Sequence, residues 1–442
     1  MKYLNPHMFK DNTMKFLLYY ITFVGFLGAT AQTHTVSLEQ SKQAAIAYSY
    51  SLKNSELRIN SSKTDVAAAK SDYLPAVSGT GIGLYGFKDL VAALPPLLNE
   101  SINNLYLVGV TGTETLYAGG KIKTGNQLAA LQLEVSQIRR KQSLDSVILL
   151  TEQKYWNLVN IQEQQKTLSV NETLLNAVLK MQKDMLASGL IARNDLLRVK
   201  VQLSELLVNK SKLQNGRRVA LLDFSMYTGL TFDSLLVMQD TMDKKAMPVL
   251  LALHPDTSLT QNSNYILLNK RITGEALQTR LAKGDNRPSL ALGVSASQVG
   301  SINSGIGSNF APAGFLTLSV PISSGLWGRG KQKVAQRKIS EAIAKNDFLD
   351  GQNQIKVGIT RYWYDMKDQL IQISFAKDNL ELATENLKVN QDNYKSGLAT
   401  ISDVLDAQAA YQQASSTVAT AFSDFYFKAA VYNYVTSKVA LQ

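Results

Sequence analysis

The chain has 442 residues, 45% of them apolar and 18% charged, and a formal charge of +11 from 46 basic and 35 acidic side chains. It has no cysteine, which excludes disulfides, thiol nucleophiles, cysteine-ligated zinc and a lipid-modified cysteine at a mature N-terminus. Lys2, Lys10, Lys15 and Asp11 lie within residues 1–31, so +9 remains downstream: a mild surplus, poor support for nucleic acid and compatible with anionic lipid or cell-wall surroundings.

Taken in chain order, the first signal is export. Met14-Lys15 offers a second start beside Met1. The apolar core Phe16–Gly28 and the small-x-small ending Ala29-Thr30-Ala31 read as a secretory leader over residues 1–31. That core is too short to span a bilayer comfortably, and no later run is long and apolar enough for a transmembrane helix. A return to a membrane must therefore be as β-structure.

Val36 to Asp72 reads as two helices ended by Pro75. Residues 76–87 read as a Gly-rich strand. Its Gly81-Ile82-Gly83-Leu84-Tyr85-Gly86 matches GxGxxG, but no apolar strand precedes it and no helix opens in it, so a dinucleotide site is rejected. Residues 105–117 form a second strand. From Lys121 to Ala187 there is no proline, and apolar residues recur in three- and four-residue steps through Ile148, Thr151, Tyr155 and Leu158. At about 1.5 Å per residue this helix reaches roughly 100 Å. A turn at Ser188–Asn194 follows, with Gly189 ending one helix, Asn194 as cap candidate and Asp195 in the next first turn, and the pattern resumes to Gly229.

Residues 230–256, with Pro248 and Pro255, interrupt it. A helix over 258–282, a strand over 289–298, a Gly/Ser/Asn loop over 300–314 and a strand over 315–326 come next. A second long helix starts near Gly330, and Tyr394–Gln408 forms a second hairpin, with Gly397 as the left-handed residue, Thr400 or Ser402 as cap and Asp403 in the first turn.

The chain is thus an internal duplication at a spacing of about 210 residues. Leu116-Tyr117-Ala118-Gly119-Gly120-Lys121 answers Leu326-Trp327-Gly328-Arg329-Gly330-Lys331, and Tyr155-Trp156 answers Tyr362-Trp363. The implied repeats are 32–229 and 257–442, joined by 230–256. Four strands of membrane-spanning length leave two open edges, which hydrocarbon does not tolerate. Several chains must then close a barrel, and three chains give twelve strands, enough for a lumen. The fold class is a mixed α/β membrane protein whose barrel is continued by a helical coiled-coil barrel.

The duplicated plan, the LYAGGK and LWGRGK junctions and above all YKSGLATISDVLDAQ resemble the TolC family of outer-membrane factors, over about Val36 to Leu441. The resemblance implies a homotrimer in the Gram-negative outer membrane with a large periplasmic extension. It implies an exit duct for an inner-membrane pump of RND or ABC type, joined through a periplasmic adaptor. It also implies closure at the hairpin tips by rings of acidic side chains, here Asp403 and Asp406. Arg193, which could pair with Asp403, and Tyr394 are candidate gate partners, as is Asp195, whose other reading is simple stabilisation of the first helical turn. The family's basic lock position holds Ala399. Gly189, Leu190, Gly397 and Leu398 fall where adaptors dock, although both glycines are also plain helix C-caps.

The cluster Arg329, Lys331, Lys333, Arg337 and Lys338 reads as a solvated face or as a contact for outer-membrane lipid phosphates. Trp327, Tyr117, Tyr85 and Phe87 read as interfacial aromatics or as barrel-core residues. His7, His34 and His254 are the only histidines, and no metal cluster, cofactor motif, nucleophile elbow or phosphate loop is found, so no enzyme, metal or nucleic-acid role is expected. The competing class is a secreted coiled-coil scaffold or adhesin. Such a rod has no need of paired strands with one apolar face.

Overall fold

In the computed structural model the described residues are 35–90, 101–242, 247–248, 254–302 and 308–438. The leader reading for 1–31 and His34 lie outside them. The elements are β1 (Thr35–Val36), α1 (Leu38–Tyr48), α2 (Tyr50–Ser71), β2 (Ala76–Tyr85), β3 (Asn104–Ala118), α3 (Lys121–Ala187), α4 (Arg193–Thr228), β4 (Val237–Met238), α5 (Ser263–Gly284), β5 (Ser289–Gly300), β6 (Asn309–Ser319), α6 (Ile322–Leu326), α7 (Arg329–Lys395) and α8 (Ile401–Val435). The fold is mostly helical. α3 and α7 are each single helices of 67 residues.

The chain forms two compact units. One comprises residues 45–150, 247–374 and 424–442. It contains an antiparallel sheet in the order β2-β3-β5-β6. Both outer strands are exposed along their whole length. The register sorts the side chains onto two faces. Leu292 opposes Leu316 and Glu114, Leu290 opposes Leu318 and Tyr117, and Val110 opposes Ala296. These share one face with Val77, Val108, Val294 and Phe310. The other face carries Ser78, Thr80, Thr111, Thr113, Ser295, Ser297 and Thr317 over most of its length, with Ile82, Leu84, Leu105 and Leu107 at the end away from the helices. Glu114 is the only charged residue in the four strands.

The fourth strand is displaced from the sequence expectation. It runs Asn309–Ser319 rather than 315–326, so much of the expected 300–314 loop is strand. Pro312 hid it. Proline donates nothing to a ladder and is confined largely to edge strands, and within the chain β6 is an edge. After Pro321 the chain turns into the short helix α6, so Val320 and Ile322 are not strand residues.

The other unit comprises residues up to 44, 151–246 and 375–423. Its core at the hairpin end joins three helices: Leu168, Leu175 and Val178 of α3, Val199 and Leu206 of α4, and Ile401, Val404 and Leu405 of α8. They continue the three- and four-residue apolar steps of the long helices and face one another. The unit also contains a feature the sequence did not announce. Thr35-Val36 pairs in parallel with Val237-Met238. Gln162 completes the pairing: its Oε1 accepts the Met238 N–H at 2.6 Å, and its Nε2 donates to the Met238 carbonyl at 3.3 Å. Tyr155, fully buried, donates its hydroxyl proton to the Asp240 carboxylate and accepts the Asp240 N–H at 3.2 Å. Burial, and then the bond to Asp240, pushes the Tyr155 hydroxyl far above its ordinary range.

Tyr155→Phe therefore leaves the Asp240 carboxylate without its donor. A loss of about 1–3 kcal/mol is expected for the local structure. Limited proteolysis should cut residues 230–242 about tenfold faster than in the wild type. An unchanged cleavage rate would show that this contact does not hold the segment.

Candidate functional site

The two hairpins end on the same backbone device. Gly189 and Gly397 adopt φ of +72° and +74°, which side-chain-bearing residues resist. The Gly189 N–H bonds the Leu186 carbonyl at 3.0 Å and the Leu190 N–H the Met185 carbonyl at 2.9 Å. The Gly397 N–H bonds the Tyr394 carbonyl at 3.1 Å and the Leu398 N–H the Asn393 carbonyl at 2.8 Å. Both are Schellman closures. The leucine that such a closure usually tucks away points outward here: Leu190 is 71% exposed and Leu398 79%. Beside Leu190, a shallow hollow of about 420 Å³ is lined by residues that include Lys180, Met181, Asp184 and Met185.

The helices that leave the turns start differently. At α8 Thr400 is the cap. The Thr400 N–H and hydroxyl both donate to Asp403 Oδ2 at 2.7 Å, and the Asp403 N–H returns a bond to the Thr400 hydroxyl at 3.3 Å. This is a capping box with aspartate in the third position. Those two Thr400 donors hold the Asp403 carboxyl below the ordinary aspartate range. At α4 the cap position is Ala192, with no side-chain bond. Asn194 is already inside the helix and does not cap it.

Asp403 and Asp406 lie three residues apart on α8 and both are exposed. Asp195 is half-buried in the first turn of α4. Arg193 is exposed and makes no ion pair with Asp403 among the described residues, while Thr400 donates twice to Asp403 Oδ2. Near the turns Arg198 of α4 reaches α8, its Nη1 donating to Ser402 Oγ at 3.0 Å. The duplication held the signal for it. With the Ser-Gly-Leu turns superposed, Asp195 falls on Asp403 and Arg198 on Asp406.

Tyr394 packs against the hairpin core, and its hydroxyl accepts a bond from the Gln182 amide and lies 3.8 Å from the Met185 sulfur. Gln182 is fully buried, and its Oε1 has no partner. Ala399 leaves no cation at the lock position. Among the described residues no group of His, Asp or Glu could hold a metal ion, and no helix is long and apolar enough to cross a membrane.

Residues 276–425, which include β5, β6, all of α7 and the second turn, match the family described as outer membrane efflux protein. The match covers about a third of the chain. An outer membrane efflux protein is a channel rather than an enzyme. Solved structures of the same fold include the outer membrane protein VceC of Vibrio cholerae, at 14% identity and TM-score 0.74 over 90% of this chain and 95% of that one. The outer-membrane channel OprN matches at 16% and 0.77, over 92% and 91%. The Campylobacter jejuni CmeC outer membrane channel matches at 15% and 0.74, over 90% and 85%. At these identities the likeness is one of fold. No curated protein sequence matches.

Proposed function

We propose that three copies of this chain form the outer-membrane exit duct of a tripartite efflux or type I secretion assembly. The observation that carries this reading is the sheet. It has one apolar face, one largely small and polar face, a single charged residue and two unpaired edges. Water-soluble sheets do not leave apolar faces and both edges bare. In hydrocarbon the edges must be paired, so β6 of one copy meets β2 of the next and twelve strands enclose a lumen. Tyr85 and Phe87 at one end and Tyr117 and Trp327 at the other, all exposed, suit the two interfaces.

On this reading the repeats 32–229 and 257–442, linked by 230–256, supply equivalent halves of each wall. The hairpin tips open toward an inner-membrane pump of RND or ABC type. Leu190 and Leu398 receive a periplasmic adaptor, and Asp403 and Asp406 line the narrow end. The exported substrate is chosen by the pump.

The test is fractionation followed by electrophysiology. The protein should be recovered from outer membranes only with detergent, should migrate faster in gels before boiling than after, and should open discrete conductances in planar bilayers. Recovery as a monomer free in the periplasmic fraction would refute the duct and favour the scaffold reading.

A further inference from the structure

Four segments connect the sheet to the helices: 66–75 before β2, 119–128 after β3, 279–288 before β5 and 320–338 after β6. The antiparallel register places all four at one end of the sheet, where Ala118 opposes Ser289 and Ser289 opposes Ser319. Together these segments hold eleven basic side chains against two acidic ones, Asp72 and Asp285. That surplus of nine equals the entire surplus of residues 32–442, so the rest of this region is electrically balanced. The stretches joining the strands at the opposite end, 86–103 and 301–308, hold only Lys88, Asp89 and Glu100.

The arrangement is locally unfavourable. Neither α3 nor α7 has an acidic residue in its first turn, and both start with cations beside the positive end of the helix dipole. Asp285 relieves part of this. Its carboxylate lies 2.9 Å from Lys333 Nζ and 3.6 Å from Lys121 Nζ. Lys333 first, then Lys121, holds it below the ordinary range. Lys123, Arg287, Arg329, Lys331 and Lys338 are exposed and have no side-chain partner among the described residues. These five cations point outward from a band that borders an apolar sheet face and the exposed rings of Trp327 and Tyr117. They are spread over several segments and converge on no cavity, which suits a plane of anions better than a single bound ion.

We propose that this collar docks on the phosphates of anionic glycerophospholipids in the leaflet on the helical side of the membrane. The proposal rests on the sheet spanning that membrane. Each basic side chain close to an anionic surface adds attraction that salt screens.

The test uses the full-length protein in nanodiscs of phosphatidylcholine mixed with phosphatidylglycerol, with the lipid retained after delipidating washes measured by mass spectrometry. The wild type should retain phosphatidylglycerol over phosphatidylcholine by about fivefold, with the preference fading in high salt. The combined variant Lys123→Gln, Arg287→Gln, Arg329→Gln, Lys331→Gln, Lys338→Gln should lose the preference and keep its oligomeric state and conductance. The pair Lys331→Gln, Lys338→Gln alone should show an intermediate value, which covers poor folding of the larger variant. No preference in the wild type, or an equal one in the variants, overturns the collar while leaving the duct intact. Loss of the preference on adding inorganic phosphate would mark a free-anion site and overturn the lipid assignment. Failure to enter nanodiscs of either lipid would remove the spanning sheet itself, and the collar with it.

Discussion

Phe375→Asp with Leu382→Asp should leave each chain folded and abolish the proposed trimer. α7 carries a stripe of apolar side chains on solvent: Val357, Tyr364, Ile371, Phe375, Leu382 and Val389, spaced by sevens with one step of four. α4 carries another, with Leu197, Val201, Val208, Val219, Leu222 and Met226. These stripes repeat at the period of a coiled-coil seam, and in the single chain they face solvent. Phe375 is 67% exposed and Leu382 69%, so aspartate there disturbs little in the isolated chain. In a closed ring each side chain contributes about 2 kcal/mol on burial. Each introduced carboxylate would also be stripped of water without a counter-ion. Light scattering in detergent should report a monomer for the double variant and a trimer for Phe375→Leu with Leu382→Met. A trimer that survives both aspartates would mean the seam runs elsewhere.

The second large effect is expected on ion preference. In the proposed trimer, Asp403 and Asp406 would form two rings of carboxylates, which would favour cations and repel anions. Asp403 is also a structural cap through Thr400, so alanine there would confuse helix fraying with loss of charge. Asparagine keeps the acceptor oxygen and removes the charge. In planar bilayers Asp403→Asn with Asp406→Asn should reduce the cation-to-anion permeability ratio about fivefold. Asp406→Asn alone should account for part of the loss.

The pH dependence has a definite sign. The lowered carboxyl of Asp403 stays ionised as pH falls through about 4, where free aspartates protonate. Its contributions to capping and to selectivity are thus complete above the ordinary range and fade only below it. Cation preference should survive to pH values at which an unperturbed ring would have lost it. Unchanged permeability in the double variant would dismiss the rings as pore elements.

Much of this architecture was legible because its periods are long. A seam of Ile148, Thr151, Tyr155 and Leu158 in a stretch without proline has one reading, and the buried positions bear it out. The two Ser-Gly-Leu turns announced both left-handed glycines. Local exceptions were harder. Pro312 argues against a strand unless the absence of a fifth strand beside β6 is known. The parallel pair of β1 and β4 joins residues some 200 apart with two residues each, too short for any pattern to register. Arg193 was one candidate partner for Asp403, and within the single chain the Asp403 carboxylate accepts from Thr400. Whether Thr400 or a guanidinium satisfies a carboxylate is decided by backbone geometry at the cap, which no spacing reveals.

The stitching of Thr35-Val36 beside Val237-Met238 also constrains biogenesis. A leader ending at Ala31 leaves three residues before that stitch, a tether of about 10 Å when fully stretched. On the leader reading, an uncleaved precursor would hold the stitch within that tether of the cytoplasmic membrane, and a chain with an uncleavable Ala31 site should accumulate there with residues 230–242 open to protease.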